Sequence, residues 1–242
     1  MVRLFAKYRL ATDPQTEMPP QGLLPFRYHR KQPYLYSETE ILHLLAAARQ
    51  LNSPTGLRAA TYSTLFGLMV VTGMRISEPI ALSLEDVDMK LGILTIRNSK
   101  FGKSRLIPVH HSTVEKLQEY EHLRKQIFPR TTSTRFFLSE QGTALTSCMV
   151  RWTFVGLLRR LSLRAPSDKH GPRVHDIRHA FAVRTLINWY REGEDVEQRL
   201  PELATYLGHR HVNDTYWYIS AVPELLRLAT ERLEKCEGGL LT

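Results

Sequence analysis

Cysteine is nearly absent. Cys148 and Cys236 are the only two in 242 residues. Two distant thiols cannot staple a disulfide framework or build a cysteine-rich zinc module, and such sparse use reads as a reduced, cytoplasmic chain. Long apolar runs are missing as well. No stretch approaches the ~18–20 residues that span a bilayer, and the opening Met-Val-Arg-Leu-Phe-Ala-Lys-Tyr-Arg-Leu lacks the apolar region of a signal peptide, so no membrane partner is expected. Internal repeats and low-complexity blocks are absent. Acid is scarce relative to base, with 24 Asp and Glu against 33 Lys and Arg, a net charge of +9. That balance favours a polyanionic partner. The excess is concentrated: residues 151–184 hold eight Lys or Arg and two Asp, whereas residues 222–242 hold three basic and four acidic residues. The basic stretch suits a polyanion, and the tail suits a protein contact.

With 43% hydrophobic residues the chain can bury a proper core. Residues 2–10 suit one short helix. From there to Pro33 the chain carries Pro14, Pro19, Pro20, Pro25 and Pro33, a density that forbids regular helix. Residues 1–33 therefore read as a short helix plus a basic, proline-rich arm. Residues 34–242 read as the main domain. Ser37-x-x-Glu40 is a capping box ahead of Ile41, Leu42, Leu44 and Leu45. A mostly buried helix follows over 57–72, stopped by Gly73, and Pro79 falls near the start of a short third helix, where proline is tolerated. Gly92–Arg97 and Ser104–Val109 are β-rich runs flanking a turn, a hairpin signal, and Arg135–Ser139 would add a third, edge strand. Helices are expected at about 111–126, 147–163, 175–191, 197–207 and 223–235. The fold class is α+β, predominantly α-helical, with helices around a small three-stranded antiparallel sheet.

The residues that carry chemistry come in a definite order. Thr72-Gly-Met-Arg75 puts a guanidinium at a helix junction, where an ordinary ion pair with Glu78 is the plain alternative. Lys100 and Lys103 lie on the hairpin tip, where a solvated turn lysine is the plain alternative. His175, Arg178 and His179 occupy i, i+3 and i+4, one face of one helix. Two imidazoles and a guanidinium there are costly to bury without an anion. His175-Asp176 is also the dipeptide of metal phosphohydrolases, but no convincing further set of His and Asp ligands accompanies it, so no metal or other cofactor is expected. His209 follows Leu207-Gly208. Tyr216 and Tyr218 follow it, and on a helix they differ by about 200°, so one of them faces a common site. Two guanidiniums clamp phosphate oxygens, a tyrosine is a covalent carrier, and a lysine or histidine protonates a leaving oxygen.

This ordered set, with Thr-Gly-Met-Arg-Ile-Ser-Glu, a lysine turn before Arg-Leu-Ile-Pro-Val, His-Asp-Ile-Arg-His, Leu-Gly-His and a tyrosine, resembles the catalytic domain of the tyrosine recombinase (phage integrase) family. The resemblance covers about residues 34–234. It implies site-specific DNA recombination through a 3′-phosphotyrosyl intermediate. Arg75, Lys100, His175, Arg178, His209 and Tyr218 would be catalytic, supported by Glu78 and His179. The family spacing selects Tyr218, leaving Tyr216 and Trp217 as packing residues, and selects Lys100 over Lys103. Arg27, Arg30, Lys31, Lys103 and Arg173 are the expected DNA contacts. The implied partners are duplex DNA with paired recognition sites, a homotetramer on DNA built through an exchange helix at about 223–236, and an accessory DNA-bending protein or companion recombinase. Two features depart from the pattern. The link over 191–199 looks long, and fewer than 40 residues precede the catalytic domain, where family members commonly carry a core-binding domain. A type IB topoisomerase-like enzyme and a catalytically silent DNA-binding regulator are the rival readings.

Overall fold

A computed structural model describes residues 2–20, 23, 32–98, 102, 104–168 and 170–238, with side chains in the last helix described to Glu234. The chain forms two compact units, residues 1–32 and 33–242. The first holds α1 (Val2–Leu10), which exposes Leu4, Phe5 and Tyr8.

The second unit begins with α2 (Glu38–Arg49). Its capping box is made as the sequence dictates: Ser37 Oγ accepts from the Glu40 amide, and the Glu40 carboxylate accepts from the Ser37 amide. Next comes α3 (Leu57–Thr72), which ends at Gly73 with φ of 62°. A side chain is barred there twice over, because the left-handed backbone disfavours it and a Cβ would lie 2.5 Å from the Phe181 ring. The start of α3 is capped from a distance. Gly56, its N-cap, offers no side chain, so Glu140, some eighty residues on, accepts from the Thr55 and Arg58 amides and from the Ser53 and Thr55 hydroxyls. Limited burial pushes the Glu140 carboxyl up, but the Thr55 and Ser53 hydroxyls and the two amides outweigh it and hold the group at about 2. A carboxyl depressed in the folded state stabilises fully above its unfolded value and stops doing so as pH falls through the folded one. Glu140→Ala is therefore expected to cost about 1–3 kcal/mol at neutral pH, the range for stranding paired donors. The difference from wild type should shrink between about pH 4.5 and pH 2, and urea titrations at several pH values check it. A pH-independent difference would refute the capping role.

After α4 (Ser77–Ala81) the sheet forms in the order β1 (Val87–Asp88), β2 (Ile93–Ile96), β3 (Arg105–Pro108), antiparallel throughout, with Leu94 opposite Ile107 and Ile96 opposite Arg105. The third strand is thus not the expected Arg135–Ser139. That segment makes only isolated bridges, Ser83 to Arg135 and Leu138 to Ala144. Phe136, Phe137 and Leu138 are all fully buried, so the run fills the core on every side instead of alternating along a sheet edge.

Among the described residues, six further helices follow: α5 (His111–Ile127), α6 (Ser147–Arg160), α7 (Val174–Arg191), α8 (Val196–Leu207), α9 (Asn213–Ala221) and α10 (Pro223–Gly238). The α7–α8 link is four residues, because Asp195 caps α8 at once. Two cores meet along α7. Val174, Ile177 and Ala180 join the larger one, formed with α2, α3, α5, α6 and the sheet. Ala182, Val183 and Leu186 join a smaller one with Leu200 and Leu207 of α8, Tyr218 of α9 and Leu225 of α10. Arg178 and His179 sit where the cores adjoin.

Candidate active site

Three arginines gather at the C-terminal end of α8, whose carbonyls carry the negative end of the helix dipole. Arg178 bridges two helix ends, donating from Nη1 to the Gly73 carbonyl at 2.9 Å and from Nη2 to the Leu207 carbonyl at 2.6 Å. Arg75 donates to the same Leu207 carbonyl at 3.4 Å and to Gly208 at 2.8 Å. Arg105 donates from Nε to the Tyr206 carbonyl at 2.7 Å. Glu78, almost wholly buried, lies among them, accepting a fork from Arg105 and two bonds from Arg75. Burial pushes the Glu78 carboxyl up, but the Arg105 fork and the Arg75 amide prevail and keep it below the usual range. Burial, then repulsion from Arg75, lowers Arg178 to about 9, which leaves it cationic at neutral pH. Three cations against one carboxylate leave an excess of positive charge that suits an anion. Two carbonyls use two of Arg178's five donors.

Beside the arginines stands a cluster of rings. The Tyr218 hydroxyl and His179 Nδ1 share a 2.8 Å hydrogen bond, both groups being buried. His175 packs edge-on against His179 at 4.6 Å, Trp217 lies 5.8 Å from His179, and His209 stacks at 6.4 Å from Tyr218. His209 Nδ1 is held by the Thr215 hydroxyl at 2.7 Å. His175 is exposed as a residue, yet desolvation of its imidazole, with His179 and Arg178 nearby, lowers it to about 3. At neutral pH it is therefore uncharged. Among the described residues, no three His, Cys, Asp or Glu side chains are arranged to hold a metal ion, and no helix is long and apolar enough to cross a membrane.

Residues 35–224 match the model of the phage integrase family. The chain belongs to that family. It is similar to the putative integrase/recombinase y4rB of Sinorhizobium fredii, 48% identical over 238 residues, which covers 97% of this chain and 76% of the relative. Tyrosine recombinase XerD of Staphylococcus saprophyticus is 28% identical over 218 residues, covering 90% of this chain and 68% of that one. The fold is shared with the Tn1549 transposon integrase in complex with transposon right-end DNA, at a TM-score of 0.65 and 17% identity over 96% of this chain and 76% of the other. This phage integrase chain is a site-specific recombinase by family, with the family's mainly helical fold and small sheet.

The structure brings Arg75, Glu78 and Arg178 together, with His175, His179, His209 and Tyr218 grouped beside them. Lys100, Lys103, Arg27, Arg30 and Lys31 lie outside the described residues. Arg173, expected on DNA, precedes α7, where its amide and guanidinium both donate to the Asp176 carboxylate while its side chain remains exposed. Tyr216, expected to pack, is instead 42% exposed, because its side of α9 faces outward when Tyr218 faces in. Two residues were missed. Thr215, fully buried, orients His209. Arg105 appeared only as part of a strand, yet its alternation was a usable signal. It shares a face with buried Ile107, and a charge on a core-facing strand position requires a carboxylate partner.

Proposed function

We propose that the chain cuts and rejoins duplex DNA at paired sites with Tyr218 as the nucleophile and no metal. The observation that carries this is the convergence of Arg75 and Arg178 on the Leu207 carbonyl, one residue from the Gly208-His209 end of α8 and close to the buried Tyr218. In the proposed step the Tyr218 oxygen gives up its proton and bonds to phosphorus. The bond from phosphorus to the 5′ oxygen breaks, and Lys100 supplies the proton that this oxygen needs. Arg75 and Arg178 offset charge on the non-bridging oxygens, with His175 and His209 as proton acceptors and donors. The phosphotyrosine conserves the bond energy, so the reverse attack by a 5′ hydroxyl reseals the strand without ATP. Two such exchanges join paired sites. Because Tyr218 is only 1% exposed, DNA reaches it only when α9 shifts. The net charge of +9 and the DNA complex of the similar transposon integrase support a duplex partner.

The test is a nicked suicide duplex carrying DNA that flanks the protein's own coding sequence, incubated with excess EDTA. A covalent adduct is expected at the same rate as without chelator. Strong inhibition by EDTA would instead revive metal-dependent hydrolysis, and relaxation of plasmid lacking the site would favour the topoisomerase reading.

Assembly is proposed to run through α10, with homotetramers forming on DNA. Within one chain α10 rests on α7 and α9, with Leu225 fully buried and Leu226 and Leu233 outward, 47% and 64% exposed. Deleting 222–242 would therefore also uncover the smaller core. Leu226→Glu with Leu233→Glu is the cleaner probe. The pair is expected to leave thermal stability and single-site binding unchanged while lowering cooperative two-site binding by roughly 10-fold or more, the weight of about 1.4 kcal/mol. Unchanged cooperativity in gel-shift titrations would assign α10 to packing within the chain.

A further inference from the structure

We propose that Arg105 is a positioning residue that holds Arg75 in its phosphate-binding pose by occupying Glu78. The inference rests on the reading above, in which Arg75 contacts the scissile phosphate. All three nitrogens of Arg105 are committed to protein. Nη1 and Nη2 donate to the two Glu78 oxygens at 3.0 and 2.8 Å, and Nε donates to the Tyr206 carbonyl at 2.7 Å. Its side chain is 9% exposed against 16% for Arg75. What sets Arg105 apart is its closed two-bond fork on Glu78 and its lower exposure, which suit a clamp.

The clamp acts through competition for one carboxylate. Arg75 donates one guanidinium bond to Glu78, from Nη1 to Oε1 at 3.1 Å, and turns Nη2 to the Gly208 carbonyl. A carboxylate and a guanidinium prefer the two-bond fork. Arg105 holds that fork on Glu78. Without it, a buried and under-satisfied Glu78 would draw the Arg75 guanidinium into the fork and off the end of α8. Gly208 fits the same arrangement. A Cβ there would stand 3.0 Å from Arg105 Nη1 and 3.4 Å from Arg75 Nη1, so the two cations close over a position kept bare. Because Arg105 opens β3 and also bonds α8, it fixes the sheet against the helix end that precedes His209.

The test is a double-mutant cycle on adduct formation with the same nicked suicide duplexes, using Arg105→Gln, Arg75→Ala and both together, with binding and thermal midpoint measured for each. Arg105→Gln is expected to slow cleavage by ~10–100-fold, somewhat less than removal of a direct transition-state donor, and to leave the dissociation constant within about 3-fold. In the Arg75→Ala background the same substitution should cost less than about 2-fold, because nothing remains to be positioned. Arg105→Lys, which keeps the charge without the fork, should resemble Arg105→Gln and covers the case in which the glutamine variant fails to fold. Independent, multiplying losses would overturn the proposal, as would an unslowed Arg105→Gln or full activity in Arg105→Lys. If the wild-type chain forms no adduct at all, the recombinase mechanism itself fails, whereas a reactive wild type with additive losses removes the Arg105 role alone.

Discussion

Tyr218→Phe is expected to eliminate the covalent DNA adduct while leaving DNA binding within a few-fold of wild type. The change removes one hydroxyl. Its hydrogen bond to His179 is worth about 1 kcal/mol of stability, too little to unfold a chain whose Tyr218 ring also packs among Leu200, Leu207 and Leu225. Chemically the loss is complete, because a phenyl ring has no atom able to attack phosphorus. Tyr216→Phe is the control. Tyr216 sits two residues earlier on α9, about 200° round the helix, exposed where Tyr218 is buried. That variant should cleave at the wild-type rate. An adduct persisting in Tyr218→Phe on denaturing gels would remove Tyr218 from the mechanism.

Arg178→Lys should slow cleavage by ~100-fold or more, the scale of losing a transition-state donor. Lysine keeps the charge but has one nitrogen, and the native residue uses two nitrogens to reach the Gly73 and Leu207 carbonyls at once. One ammonium cannot tie the end of α3 to the end of α8 and also present a planar pair of donors to a phosphate. A buried carbonyl left unpaired adds a stability cost of about 1–3 kcal/mol, which a thermal midpoint separates from the kinetic loss. Cleavage within about 3-fold of wild type would show that the guanidinium geometry is not used on the phosphate.

Features set by adjacent residues were legible in the sequence. Ser37 and Glu40 announce their capping box, Gly73 the end of α3, and the i, i+3, i+4 spacing places His175, Arg178 and His179 on one face. Features set by distant partners were not. Phe136–Leu138 is rich in β-formers, but burial on all sides made it core filling, while the two-residue Val87–Asp88 was too short to show any alternation. The cap on α3 comes from Glu140, remote in sequence. Glu78 was legible as the neighbour of Arg75, but its stronger fork to Arg105 depends on how β3 docks beside α4. The burial of Tyr218 against His179 likewise depends on α7, α8 and α10 closing around α9, which no local pattern encodes.

The most direct measurement is mass spectrometry of the protease-digested adduct formed on a nicked suicide duplex in EDTA. The account predicts one modified peptide, carrying a nucleotide through its 3′ phosphate on Tyr218, with a free 5′ hydroxyl on the released strand. A linkage at another residue, a 5′-phosphate attachment, or cleavage with no protein-bound nucleotide would contradict it.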